Sequence, residues 1–423
     1  MSRSAGFVSW FWVGGWVPLA LALLTVNVAP SLLVMLMGSL WGVSHRALWQ
    51  PDPLLGWVGG LGVGLLGVTF LATDWSLSIP GLFNYLPFLL FFAASSQILR
   101  YPEWRLLSLQ TLVAGSGWVA MLGWGQFFWH WQGEVTILGM PVLELAATDR
   151  PTSVFTSPNT LAVYLVVVLT LAVGLWLARP RQWLAPAALV LGLPLLVATA
   201  SRNGWAIACL SLVGFLLFKR MWAAFIPLGG MIGIPLLAAL NWWNLRQWVP
   251  ALFWQRLADA FDPQARHFGS TISRLEAWNF ALEMIRQRPW QGWGWQSFPA
   301  YYNAQIPPPT ELLNHSHNLY LTVAAEGGLG IAVGLVGLWG VIVGRGWRQI
   351  QGDPVLLAVN LALLAYFASG LLDAVFFDGR INLLFWVVLA VAHGSSLARS
   401  DGDRSKGMPE AAPLPGEQPA QER

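Results

Sequence analysis

Two histidines and an asparagine open the stretch HSHNLYLTVAAEGGLG, residues 315–330, which then turns apolar enough to enter a bilayer while still carrying Glu326. Imidazole titrates near neutrality, so His315 or His317 can take a proton from an attacking hydroxyl, with Asn318 or Glu326 able to orient the ring. A zinc site is poorly served: no cysteine or third histidine is close by, and such sites want three or four ligands. If a helix begins near His317, then Asn318, Thr322 and Glu326 repeat every four residues and form a polar stripe. Lipid would not tolerate that stripe, so it must face the bundle interior. Gly330, Gly334 and Gly337 then allow a neighbouring helix to come close.

Arginines supply the second kind of chemistry. Arg202, in ATASRNGWAIA, lies between two apolar runs with almost no loop, where a charge costs about 2.5–3.5 kcal/mol unless it faces a cavity, a partner or the interface. Arg150 opens RPTSVFTSPNTLAVYL, in which Pro158 and Asn159 begin a helix whose N-terminus favours anions. Beside Asp149 it also reads as a plain loop charge. Arg380, in LLDAVFFDGRIN, reads as an ion-pair partner of Asp373 and Asp378. Further back, GSTISRLEAWNFALEMIRQRPW reads as a helix with Ser273 and Glu276 as a capping box and Pro289 just past its end. Glu276, Asn279, Glu283 and Arg286 share one face; Leu275, Trp278, Ala281, Leu282 and Ile285 share the other. Arg274 falls on the apolar face and in the first turn, where the helix dipole disfavours a cation. Such a helix, lying apolar side down on the membrane surface, aims Arg274 at the mouth of the bundle, unless the guanidinium merely snorkels. Gly292 and Gly294 of QGWGWQSF suit a tight backbone with exposed aromatic edges, and with no strand before them they are not a phosphate loop.

Arginines and an imidazole on one membrane face suit transfer from a lipid diphosphate. The leaving group is multiply anionic, and two or more guanidinium groups can hold it as a divalent cation does elsewhere, so no metal or cofactor is expected.

The elements that must position these groups are membrane spans. Of 423 residues, 56% are hydrophobic and only 10% charged, against about 25% charged in soluble domains. The net charge of +3 is spread over loops rather than gathered into a nucleic-acid surface, and the 27 tryptophans suit interfacial belts. A lone cysteine, Cys209, excludes an intrachain disulfide framework. The charged N-terminus reads as the start of a retained first span rather than a cleaved signal peptide. Runs of about 20 apolar residues predict twelve spans: 7–24, 28–43, 54–72, 79–96, 106–128, 157–178, 183–200, 203–218, 221–240, 318–344, 355–375 and 381–398. The first two could be one broken span. With both termini cytoplasmic, 14 of the 23 Lys and Arg residues fall on the inner side, and only Arg150, Arg202 and Arg380 lie in short outer loops. The expected organisation is therefore an all-α integral membrane protein of one polytopic domain, 1–398. A large periplasmic loop, 241–317, carries a surface helix between helices 9 and 10, and a disordered cytoplasmic tail occupies 399–423. There is no internal repeat of the kind found in many transporters.

SRNGW at 201–205, R-x-x-x-W at 274–278 followed by RPWQGWGWQSF, and HSHNLYL followed by Glu326 together resemble the O-antigen ligase superfamily. RPTSVFTSPN and LLDAVFFDGRIN are similar to further patches of it, so the resemblance covers most of 150–385. It implies a C-type glycosyltransferase of about twelve transmembrane helices in the bacterial inner membrane. Such an enzyme moves a glycan from undecaprenyl diphosphate to a lipid A core or similar acceptor on the periplasmic face, with inversion and without metal. By motif, Arg202 and Arg274 grip the donor diphosphate, with Arg150 as a further contact. His317 is the first choice for the base and His315 the second, supported by Asn318 and Glu326. The superfamily also contains O-antigen polymerases and a branch proposed to act in bicarbonate uptake, which resembles this chain in SRNGW, RPWQGWG and the Ala-Glu-Gly-Gly segment 325–328. The paired histidines and asparagine favour ligase chemistry over that branch. A noncatalytic assembly factor would leave the polar stripe unexplained.

Overall fold

The computed structural model describes residues 14–44, 52–137, 140–258, 269–305 and 312–407. It is mostly helical, and each of the twelve apolar segments read from the sequence overlaps a helix. Among the described residues, seven helices are long and apolar enough to cross a membrane, and four more are apolar but of 10–17 residues. The chain is a multi-pass membrane protein.

Local chemistry sets several helix starts. Asp52 caps α3 (Pro53–Leu71), Ser157 caps α7 (Pro158–Ala178) and Asp353 caps α15 (Pro354–Ser369). Each cap's side chain accepts a backbone N–H, and proline follows at the first helical position, where its missing donor costs nothing. Before these, α1 (Trp16–Leu24) and α2 (Val28–Ser44) pack on one another, Ser31 Oγ donating to Ala20 O over 2.6 Å while Gly38 faces the Trp16 ring. The pair is thus a tight hairpin, not one broken span; residues 1–13 lie outside the described residues. The expected span 79–96 is split into α4 (Trp75–Leu82) and α5 (Leu86–Ile98).

After α6 (Pro102–Trp129) the chain forms an antiparallel hairpin, β1 (Gly133–Ile137) and β2 (Met140–Leu145). The hairpin was not expected from an all-α reading, since it is too short and too exposed to show a strand pattern against the apolar background. Then come α7, α8 (Leu184–Ala198), α9 (Arg202–Phe218) and α10 (Phe225–Ala239). The long loop holds α11 (Ala251–Ala258), α12 (Gly269–Gln287) and α13 (Ser297–Ala304). The chain closes with α14 (Leu319–Arg348), α15 and α16 (Gly379–Gly407). The expected disordered tail thus begins inside α16, and 408–423 lie outside the described residues.

Burial identifies the centre: 89% of the best apolar window in α16 and 78% of that in α7 is buried, against 17% in the segment containing α10. α7 packs along α15 and α9 packs on both, so the ends of these three helices meet. At the end opposite HSHN, Asp52 accepts from His393 Nε2 at 2.6 Å and lies 3.7 Å from Arg345, which ties α3, α14 and α16 together.

Candidate active site

The HSHN segment is held from both sides. Leu313 exchanges two hydrogen bonds with the Asn303 side chain on α13, and Asn318 caps α14, its Oδ1 accepting from Leu321 N at 3.0 Å. Ser316, fully buried, bonds the Asn318 carbonyl and the Thr322 hydroxyl. This pins the backbone so that His317 takes a positive φ of 54°, which turns both imidazoles to the same side. Two histidines at i and i+2 therefore do converge, because they stand on a turn before the helix rather than on the helix itself.

They converge on Asp373, in the link between α15 and α16. His317 Nδ1 donates to Asp373 Oδ1 over 3.4 Å, and His315 Nε2 stands 3.9 Å from the same oxygen. The carboxylate is otherwise well held: Ala374 N donates to Oδ1 at 2.9 Å, and Asn159 Nδ2, from the first turn of α7, donates to Oδ2 at 3.4 Å. His315 Nδ1 accepts the His317 backbone N–H at 3.2 Å, and its ring stacks on Phe377. An accepting Nδ1 requires a neutral His315 with its proton on Nε2. Burial pushes His315 down to about 4 against the pull of Asp373, with His317 and Arg274 adding to the push, so it stays neutral at neutral pH. For Asp373, burial alone would raise the carboxyl. The hydrogen bond from His317, the attraction of either imidazole once protonated and the charge of Arg274 outweigh it and keep the group below its usual range, hence ionised at neutral pH.

Arg274 thus acts electrostatically on both His315 and Asp373. Its helix differs from the sequence reading. α12 begins at Gly269, so Ser273 is not its cap and Arg274 is in the second turn, away from the unfavourable end of the dipole. The packed stripe is Ala277, Ala281 and Met284, with Leu275 and Leu282 exposed, and it lies on Ala325 of α14. Arg274, three residues before Ala277, is on that inward stripe and half-buried.

Each residue of SRNGW has a placement role. Ser201 caps α9, Arg202 is its first residue, and Asn203 donates to Ser369 O at the end of α15. Gly204 lets α9 lie against Ala162 of α7, and Trp205 Nε1 donates to Leu196 O. Arg202 therefore stands at the same end as Asp373, whose own N–H bonds Ser369 O. Arg150 is drawn in by a bond from Nη1 to Thr199 O at 3.2 Å, two residues before Ser201. Gln126 of α6 anchors the adjacent loop, its Oε1 accepting from Thr152 N and Ser153 N. Asp378 caps α16 by accepting the Arg380 N–H, and the Arg380 guanidinium makes no ion pair within 4 Å among the described residues, so the pairing with Asp373 and Asp378 expected from the sequence is not formed.

Glu326 and the QGWGW loop form a support beneath the site. α14 breaks at Gly328 (φ 79°, ψ 162°), and the loop fills the break. Trp293 N donates to Ala325 O, Gly294 N to Glu326 O, and Leu329 N to Pro289 O at 2.7 Å. Glu326, 1% exposed, turns its Oε1 to Phe298 N at the start of α13, so it holds α13 rather than a histidine. The expected polar stripe is thus local wiring: Asn318 caps, Thr322 bonds Ser316 and Glu326 caps a neighbouring helix. The aromatics of the loop are not all at the surface either, since Trp295 is fully buried against Tyr85, its Nε1 donating to Leu65 O. Of the glycines after the break, Gly334 and Gly337 face Leu61 and Trp57 of α3, while Gly330 faces open space. A carboxamide can still accept from Phe298 N without a buried charge. Glu326→Gln should therefore keep stability within about 1 kcal/mol, and Glu326→Ala should lose about 1–2 kcal/mol, as read by thermal unfolding of the purified protein.

In the sequence Asp373 reads only as a partner of Arg380 and Asn159 only as a helix start, so neither is marked as a site residue. The available signal was topological: both flank spans that end on the HSHN side. The donor atoms of His315, His317 and Asp373 lie within 4.8 Å of one another. This is the third ligand that the sequence appeared to lack, so a divalent cation is sterically possible. The hydrogen bonds already made by His315 Nδ1, His317 Nδ1 and Asp373, and the adjacent Arg274 charge, suit a proton-handling cluster better.

Fold and site together define a multi-pass helical membrane protein with a polar, ionisable centre at one end of its bundle. Residues 187–339 match the family model described as O-antigen ligase, in agreement with the resemblance that the motifs carry. Arg202, Arg274, both histidines and Glu326 fall inside the match. No curated protein matches the chain.

Proposed function

We propose that the protein is an O-antigen ligase-like glycosyltransferase of the bacterial inner membrane, with its site on the periplasmic face and both termini in the cytoplasm. The observation that carries this reading is His317, whose Nδ1 is hydrogen-bonded to buried Asp373 while its Nε2 is left as an acceptor. A carboxylate behind one imidazole nitrogen selects the tautomer that makes the other nitrogen a base. His315 serves less well, since its Nδ1 is used by backbone and burial makes it a weak base.

In the proposed reaction an acceptor hydroxyl attacks the anomeric carbon of a glycan linked to undecaprenyl diphosphate. The new carbon–oxygen bond forms as the bond to the diphosphate breaks, with inversion at that carbon. The hydroxyl proton passes to His317 Nε2, and the diphosphate leaves with the bonding electron pair, neutralised by Arg202 and Arg274 with Arg150 as a further contact. Lipid A core is the proposed acceptor; a growing glycan chain in its place would make the same chemistry a polymerase.

Purified protein supplied with a polyprenyl-diphosphate glycan, a lipid A core acceptor and a chelator should form the joined product. Arg202→Gln and Arg274→Gln should each slow it about a hundredfold. Product only on addition of a divalent metal, or unchanged rates in both variants, would refute the arginine mechanism.

A further inference from the structure

An apolar groove of about 530 Å³ runs between α14 and α15, outside the polar cluster. Val336, Trp339, Val343, Leu364 and Phe367 wall it, Gly340 and Gly344 form its floor, and Trp347 and Arg348 stand at one end. A Cβ added at Gly340 or Gly344 would meet no atom within 4 Å, so the glycines hold space open there rather than seating a neighbouring helix. At the other end the groove is closed: Tyr320 OH donates to Phe367 O at 2.8 Å, and Trp339 stacks on Phe367 with centroids 5.4 Å apart.

Two dimensions select the occupant. From Val336 to Arg348 the helix rises about 18 Å, close to one leaflet's half, about 15 Å, of the bilayer's hydrocarbon core. The closed end lies on the HSHN side, since Tyr320 is the second residue of α14 and Phe367 stands two residues before Ser369, which bonds Asp373 N. A polyprenyl chain descending from that site would have to pass the Tyr320–Phe367 bond. The sole charged group in the lining is Arg348, at the open end beside an exposed Trp347, the pairing expected where an anionic headgroup meets the interface.

We infer that this groove is a binding site for one acyl chain of an anionic glycerophospholipid of the leaflet at the Arg348 end, with the phosphate held by Arg348. Such a lipid buttresses the 329–348 part of α14, the part below the Gly328 break, on the side where a Cβ at Gly340 or Gly344 would meet no atom of the described residues within 4 Å.

The test uses the purified full-length protein and native mass spectrometry, titrating dioleoyl phosphatidylglycerol against dioleoyl phosphatidylcholine. The wild type should retain one phosphatidylglycerol about fivefold more strongly. Arg348→Gln should abolish that preference while still binding lipid, and Gly344→Leu, which fills open space, should lower retention of both lipids. Arg220→Gln, a basic residue beyond the end of α9 on the same side, should leave the preference intact. The proposal is overturned if Gly344→Leu binds as the wild type does, if Arg220→Gln matters as much as Arg348→Gln, or if a polyprenyl phosphate displaces the lipid. None of these readouts depends on transferase activity.

Discussion

Changing His317 to alanine should slow glycan transfer by about 10²–10⁴-fold, the usual share of a general base, with little change in the amount of donor bound. The reason is geometric. Asp373 is buried, ionised and fixed by Ala374 N and Asn159, so it orients His317 through Nδ1 and leaves Nε2 as the proton acceptor. Initial rates at saturating donor, alongside the amount of lipid-linked donor bound, separate this loss from a binding defect. Asp373→Asn should give a smaller loss of the same kind, because a carboxamide no longer selects the tautomer. Should His317→Ala keep more than a tenth of the wild-type rate while His315→Ala abolishes transfer, the roles of the two rings are reversed.

The largest effect on stability is expected at Gly328. Its φ of 79° and ψ of 162° belong to a region that side chains other than hydrogen scarcely enter, and a Cβ there would run into the Trp290 carbonyl. Gly292 meets Glu326 O in the same way from the opposite strand of the contact. Alanine at 328 must move the loop and so strains the bonds from Trp293, Gly294 and Leu329 that bridge the break. A loss of about 3–5 kcal/mol follows from one strained residue and two or three weakened hydrogen bonds, and transfer should fall with it because the same loop leads into α13 and bonds Glu326 of α14, which holds that helix. Thermal unfolding in detergent reads the difference. Gly330→Ala is the matched control: it is helical, faces open space and should be neutral or slightly stabilising. Equal midpoints for the two variants would mean that the interlock does not hold the break.

The QGWGW loop shows how far sequence could go. Gly292 and Gly294 announced a tight turn, and Glu326 announced something unusual in a membrane helix. That the two are one contact, each supplying what the other's backbone lacks, needed coordinates. Arg274 is similar: its presence on an apolar face was visible from period alone, but the start of its helix was not. The residues before Ser273 show no apolar period to mark it, so the Ser273–Glu276 pair looked like a cap.

What sequence by itself determined is therefore what periodicity and transfer free energy control: the apolar segments, the Pro158 start of α7, and a polar centre near HSHN. Tertiary structure alone decided which groups meet there. Asp373 and Asn159 lie 56 and 214 residues from their partners His317 and Asp373, and no local rule links positions so far apart. The positive φ at His317 likewise depends on bonds from Ser316 to Asn318 and Thr322. Pairing across such distances is selected by packing of whole helices, since a buried carboxylate is tolerable only where several elements bring donors to it at once.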